Sequence, residues 1–263
     1  RINRPFENEY SRLSNLELSD KECKEFVKYC KSRDLIPLTT CFARDSISQI
    51  KAQGFEEVKV ASYDCASYQM IRELRDSFGY IYVSTGATFD EEIKKTHKIL
   101  SENNSTNFAF LHCVTKYPTP NNMMNMARLD FLKNFSDEVG FSDHSDSNVS
   151  GLDAAKYSFV RGSTVLERHF TILDKDLTKD GKVSINPKEL KELKDFAENE
   201  SLWKSFLEKN KDLCSEMEGS MTRELSDEEI SNRIYYRGRF ASSRNQTNDA
   251  AQMIFNWEET PLK

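Results

Sequence analysis

His144 ends the stretch Val139-Gly140-Phe141-Ser142-Asp143-His144 and His169 ends Leu166-Glu167-Arg168-His169, two places where an apolar run turns polar. Alternate residues of a strand share a face, so Ser142 points with His144 and Glu167 with His169. Imidazoles brought by adjacent strands into one mouth can ligate a divalent metal ion, with water and substrate in the open positions and Asp143 or Glu167 as support from behind. Taken singly, each histidine also reads as a hydrogen-bonded strand end. Lys59 lies between Val58 and Val60, where an unpaired charge is costly, so an anion must face it. A ligand phosphate and a neighbouring carboxylate inside a barrel serve equally well. Ser62, Ser84 and Ser142, with Thr40, end other runs and can add hydroxyl donors around the same anion, although each alone also reads as a cap.

Other reactive residue types read as structural. Met123, Met124 and Met126 fit helix packing, the cysteines read as inert, and Cys113 beside His112 is a weak nucleophile candidate because strand neighbours face opposite ways. His97 reads as a surface residue of a helix, and the charged run from Lys188 to Lys211 as a solvated helix face.

Strands are expected at 35–39, 58–62, 80–84, 108–113, 139–142 and 165–170, six runs whose spacing leaves room for a crossover helix each time. Ser19 with Glu22 makes a capping box, helices follow near 46–53, 66–77, 88–103, 121–134 and 148–158, and a longer one opens at Pro187. A second box, Ser226 with Glu229, starts a helix before the Tyr/Arg-rich segment 234–240, whereas the first 18 residues are polar and aperiodic. This alternation fits an open doubly wound parallel sheet or part of an eight-stranded barrel. No GxGxxG and no GxxxxGK[ST] is present.

The 263 residues carry 43 acidic and 37 basic side chains, a net charge of −6, with no free basic cluster, which argues against a nucleic-acid surface. The apolar runs, such as Phe108-Ala109-Phe110-Leu111, fall far short of the roughly 20 residues a membrane helix needs. Six cysteines without a CxxC pair or a signal peptide point to reduced thiols and a cytoplasmic protein.

Taken in order, five strand-end phrases resemble the sialic acid synthase family, the phosphoenolpyruvate-condensing enzymes that make N-acetylneuraminate and related nonulosonates. They are Lys59-Val60-Ala61-Ser62 with Asp64, Val83-Ser84-Thr85-Gly86, Leu111-His112-Cys113 through Tyr117-Pro118-Thr119-Pro120, Gly140 through His144, and Leu166 through Thr171. The resemblance implies an α/β fold of the TIM-type (β/α)8 barrel kind and a divalent metal ion, manganese or magnesium, that activates the aldehyde of an open-chain N-acylated amino sugar. Carbon 3 of phosphoenolpyruvate attacks that aldehyde, water adds at carbon 2, and phosphate leaves. By matching position, His144 and His169 hold the metal, and Thr40, Lys59, Ser62, Ser84 and Ser142 bind phosphoenolpyruvate. Phe42, Thr115, Tyr117 and Asp180 face the sugar, and Asp64, Tyr117 and Glu167 form the expected catalytic set.

Departures from the family pattern are Asp64 for glutamate, Cys41 for proline, Thr115 for the asparagine of some members, and Thr178-Lys179-Asp180-Gly181 for proline-glycine-proline-aspartate. The family's first two barrel strands and its antifreeze-like domain have no counterpart here. The expected organisation is therefore an N-terminally incomplete barrel over 1–200 with six βα units and a helical extension over 201–263, completed by a homodimer partner or a segment that supplies the missing strands. Two other readings stay open: a catalytically silent homologue acting as a binding or assembly subunit, and a related phosphoenolpyruvate-aldose condensing enzyme.

Overall fold

Short runs rich in β-branched and aromatic residues become the strands of one sheet, and capped amphipathic stretches become the helices between them. The computed structural model describes residues 6–102, 106–243 and 252–262. Its main sheet holds β1 (Leu38–Cys41), β2 (Glu57–Val60), β3 (Tyr80–Ser84), β4 (Asn107–Cys113), β5 (Glu138–Asp143), β6 (Val165–Phe170) and β7 (Ser184–Ile185), parallel throughout and in sequence order. The helices are α1 (Phe6–Ser14), α2 (Asp20–Lys31), α3 (Ile47–Ala52), α4 (Tyr68–Arg75), α5 (Asp90–Ser101), α6 (Arg128–Leu132), α7 (Asp153–Val160), α8 (Pro187–Ala197), α9 (Ser201–Lys209), α10 (Lys211–Glu218) and α11 (Asp227–Arg237). An antiparallel pair, β8 (Ala241–Ser243) with β9 (Met253–Phe255), follows.

Several sequence expectations need correction. Seven parallel strands replace the expected six, because β7 is two residues long and too short to leave a periodic signal. The first strand begins at Leu38 instead of 35, since Pro37 has no N–H for a ladder and Leu35 and Ile36 are exposed. The aperiodic start contains α1, although residues 1–5 lie outside the described residues, as does residue 103, the expected end of one helix. The single long helix expected from Pro187 is three, broken near Asn199 and again at Asn210. The 201–263 stretch, expected to be helical, carries the β8–β9 pair as well.

The sheet is curled, and side-chain contacts measure the curl. Lys59 on β2 reaches Glu167 on β6, with three strands between them, at 3.2 Å. In a flat sheet four strand spacings would hold them roughly 19 Å apart. Register sorts the two faces: Thr40, Lys59, Tyr82 and Ala109 lie opposite one another in successive strands, as do Cys113, Ser142 and Glu167, and these line the inside of the curl. The alternate residues Val58, Val60, Ile81, Val83, Phe110, Val139 and Phe141 face outward. They form the core with Ile50, Met70, Ile71, Leu74, Ile93, Leu100, Leu129 and Leu132. Gly140 is required on the inner face, because a Cβ there would lie 2.1 Å from Leu111 Cδ2.

After α10 the chain returns to the C-terminal ends of the strands. Tyr236 of α11 stacks on Tyr63 at 4.6 Å, Phe240 stacks on Phe42 at 5.0 Å, and Ser242 Oγ of β8 accepts a hydrogen bond from Asp45 N at 3.0 Å. All six cysteines are free thiols. Among the described residues no helix is long and apolar enough to cross a membrane.

Candidate active site

A chain of polar contacts runs across the inner face at the C-terminal ends of the strands. Lys59, 9% exposed, pairs with Glu167, whose second oxygen accepts from Ser142 Oγ at 2.5 Å, and Ser142 Oγ lies 3.0 Å from Ser84 Oγ. The carboxylate that faces Lys59 is Glu167. Ser62 is not on the strand but on the short 3-10 turn after β2, where its Oγ accepts from Gly86 N at 3.2 Å. Thr40 sits half-buried on β1 beside Lys59 in register.

The two histidines face each other with ring centroids 5.5 Å apart, and Tyr117 packs on them at 3.9 Å from His144 and 6.1 Å from His169. His144 Nδ1 lies 3.3 Å from Val114 O, an acceptor, so this nitrogen carries the proton and the Nε2 lone pair is left free. Burial, then the neighbouring His169, pushes His144 down to about 3, which keeps it a neutral donor. His169 is half-buried, with Nδ1 3.9 Å from Asp180 Oδ2. Two imidazole nitrogens would suit a divalent ion with water and substrate in its other positions, and among the described residues no group of three His, Cys, Asp or Glu gathers as a metal cluster. Asp143, expected as support for a metal ligand, points to the other face. It is fully buried, ion-paired with Arg168 and bonded to Ser145 N at 2.8 Å. Adjacent strand positions alternate, so Asp143 cannot share the side of His144.

Next to the imidazoles lies a cleft of about 770 Å³. Phe42, Asp64, Thr115, Tyr117, His169 and Asp180, all drawn from the sequence expectations, line it. Asp64 is 5% exposed, and burial pushes its carboxyl up while hydrogen bonds from Asn256 and Ser67 oppose the rise. Tyr117 is 52% exposed. Thr115 is tied to α11, its N–H donating to Glu229 at 3.5 Å and its carbonyl accepting from Asn232 at 3.5 Å. Arg12 and Leu13 of α1 and Asn232, Tyr236, Arg239 and Phe240 complete the wall, none of them singled out from the sequence. The Tyr/Arg-rich segment 234–240 was the available signal. Cys113 and His112 are structural: burial raises the thiol to about 11 and lowers the imidazole, bonded to Met124 O, to about 3. His97, expected at the surface, is half-buried between Phe108 and Phe135.

Comparison with known proteins bears on the family and the fold. The model described as "NeuB family" matches residues 3–206. The N,N'-diacetyllegionaminic acid synthase of Campylobacter jejuni is 31% identical over 191 residues, 71% of this chain and 56% of that protein. A pseudaminic acid synthase of the same species is 27% identical over 214 residues, 81% of this chain and 57% of that protein. The crystal structure of an N-acetylneuraminic acid (sialic acid) synthetase from Leptospira borgpetersenii, in complex with citrate, superposes with a TM-score of 0.65 at 25% identity, covering 85% of this chain and 72% of that one. The chain spans about half the length of the curated relatives it matches. The family match stops before α11 and the β8–β9 pair, so part of the cleft wall lies beyond it.

Proposed function

The chain belongs to the NeuB family, and from that premise we propose that it is a nonulosonate synthase, condensing phosphoenolpyruvate with an N-acylated amino sugar such as N-acetylmannosamine and releasing phosphate. One observation carries the reading: the inner-face contacts from Lys59 through Glu167 and Ser142 to Ser84 lie beside the facing imidazoles of His144 and His169. Cation and hydroxyls fit the carboxylate and phosphate of one substrate, and the adjoining cleft fits a sugar. The curled sheet is read as part of a (β/α)8 barrel, whose chemistry belongs at the strand C-terminal ends.

In this reading Lys59, Ser62, Ser84, Ser142 and Thr40 bind phosphoenolpyruvate with its carbon 3 toward the cleft. Asp64 hydrogen-bonds the open-chain sugar, and Phe42, Thr115, Tyr117 and Asp180 flank it. A manganese or magnesium ion held by His144 and His169 would polarise the sugar aldehyde. Glu167, anchored by Lys59 and Ser142, takes the proton of the water that adds at carbon 2, and phosphate departs to leave an α-keto acid.

One observation favours the second reading, a binding or assembly subunit without turnover: Lys59 is already neutralised by Glu167. The two are separated by phosphate release from phosphoenolpyruvate with N-acetylmannosamine and manganese, with EDTA and sugar-free controls. Sugar-dependent, EDTA-sensitive release supports the synthase. Folded protein that releases none supports the silent subunit.

A further inference from the structure

Asn256, in the turn after β9, is 2% exposed and touches a cleft residue 192 positions away. Its Nδ2 donates to Phe42 O at 2.9 Å and to Asp64 Oδ1 at 3.0 Å. Both partners are acceptors, so the amide has one workable orientation, held even though its own Oδ1 is buried without a donor. Ser67 Oγ donates to the same Asp64 Oδ1 at 2.9 Å. That oxygen therefore accepts two hydrogen bonds, while no donor among the described residues reaches Oδ2 of a carboxyl that lines the cleft.

We infer that Asn256 is a positioning residue of the cleft, which together with Ser67 saturates Asp64 Oδ1 and so presents Oδ2 to the bound sugar. The hold on Asp64 stands on the geometry alone, whereas its role toward a sugar rests on the synthase reading. Asn256 lies outside the family match, and its effect is exerted through Asp64, not by contact with the substrate.

Asn256→Ala, Asn256→Asp and Ser67→Ala test this, each first compared with the parent by circular dichroism. In the phosphate-release assay, Asn256→Ala and Ser67→Ala are each expected to lower kcat roughly tenfold or more, the worth of one hydrogen bond to a charged group, with KM for phosphoenolpyruvate unchanged. Asn256→Asp keeps the size but offers no proton to either acceptor, so it falls at least as far as Asn256→Ala. It supplies the measurement if the alanine variant does not fold. Unchanged kcat in the folded Asn256 variants overturns the inference.

A second readout does not depend on turnover. The ¹³C resonance of the Asp64 carboxyl, whose charged neighbour is Arg237, is expected to titrate at higher pH in Asn256→Ala than in the parent. Identical titration overturns the inference. A parent protein that releases no phosphate counts against the synthase reading alone, and the carboxyl resonance then decides the assignment of Asn256.

Discussion

Lys59 Nζ stands 3.2 Å from Glu167 Oε1, a cation of β2 and a carboxylate of β6 that meet across the inside of the curled sheet. An incoming anion therefore meets a lysine already aimed and held, and must compete for it. Lys59→Met keeps the length of the apolar stem and removes the charge. Because Glu167 retains its Ser142 bond and 39% exposure, the fold tolerates the change, and the melting temperature should move by no more than about 4 °C. KM for phosphoenolpyruvate should rise by about 100-fold, as loss of a charge-assisted contact demands. A KM within about threefold of the parent would remove Lys59 from the binding set.

His144→Ala and His169→Ala are each expected to abolish manganese binding in calorimetry and to abolish turnover. His97→Ala serves as the control. It unpacks an imidazole from Phe108 and Phe135, so it should lower stability by about 1 kcal/mol and leave metal binding untouched. Equal damage from all three would refute the assignment of the facing pair.

Gly86 is a steric requirement of the contact between Ser62 and the loop after β3. A Cβ there would lie 2.7 Å from Thr115 Cγ2, 2.9 Å from Ser62 Oγ and 3.0 Å from Cys113 Sγ. Gly86→Ala should displace Ser62, costing about 1–3 kcal/mol in stability by overpacking. It should also lower kcat/KM for phosphoenolpyruvate by about tenfold. Denaturant melts and initial rates measure the two effects separately.

Glu229 ties α11 to the loop after β4. It is fully buried, accepts from Arg223 at 2.7 and 2.8 Å, and receives the Thr115 N–H. Burial pushes its carboxyl up, but Arg223 and the backbone donors outweigh this and hold it below the ordinary 4.5. A depressed carboxyl binds fewer protons folded than unfolded, so its stabilisation is fully present above about pH 5.5 and is lost as pH falls through the folded value. Glu229→Gln keeps the capping geometry and should cost about 3 kcal/mol at pH 7. In melts across pH, the gap between parent and variant should narrow as pH falls below the ordinary carboxylate value toward the folded one. A gap of the same size at pH 3 as at pH 7 would contradict the ion-pair account.

Much of the site was legible in the sequence because a parallel strand writes its function at one end. Lys59, Ser84, Ser142, Glu167, His144 and His169 lie toward strand ends, and the two-residue alternation paired Ser142 with His144 and Glu167 with His169. Asp143 was offered as metal support against that same alternation, being an immediate neighbour of both Ser142 and His144. What escaped were features with no period. β7 is two residues long, and α8 to α10 are interrupted by local breaks within a continuous apolar stripe. Asn232, Tyr236, Arg239, Phe240 and Asn256 escaped for another reason. Their role exists only through contact with residues far back in the chain, such as Phe42 and Asp64, and no local pattern records a partner 192 positions away.

That separation has a temporal side. The cleft draws on Arg12 near one end of the described chain and its Asp64 waits for Asn256 near the other. Contacts of such high sequence separation form late, after a large loop has closed, and on the ribosome only once residue 256 has emerged. A nascent chain can thus assemble its parallel strands well before Asn256 can hold Asp64 Oδ1, so the wall of the cleft is finished after its floor.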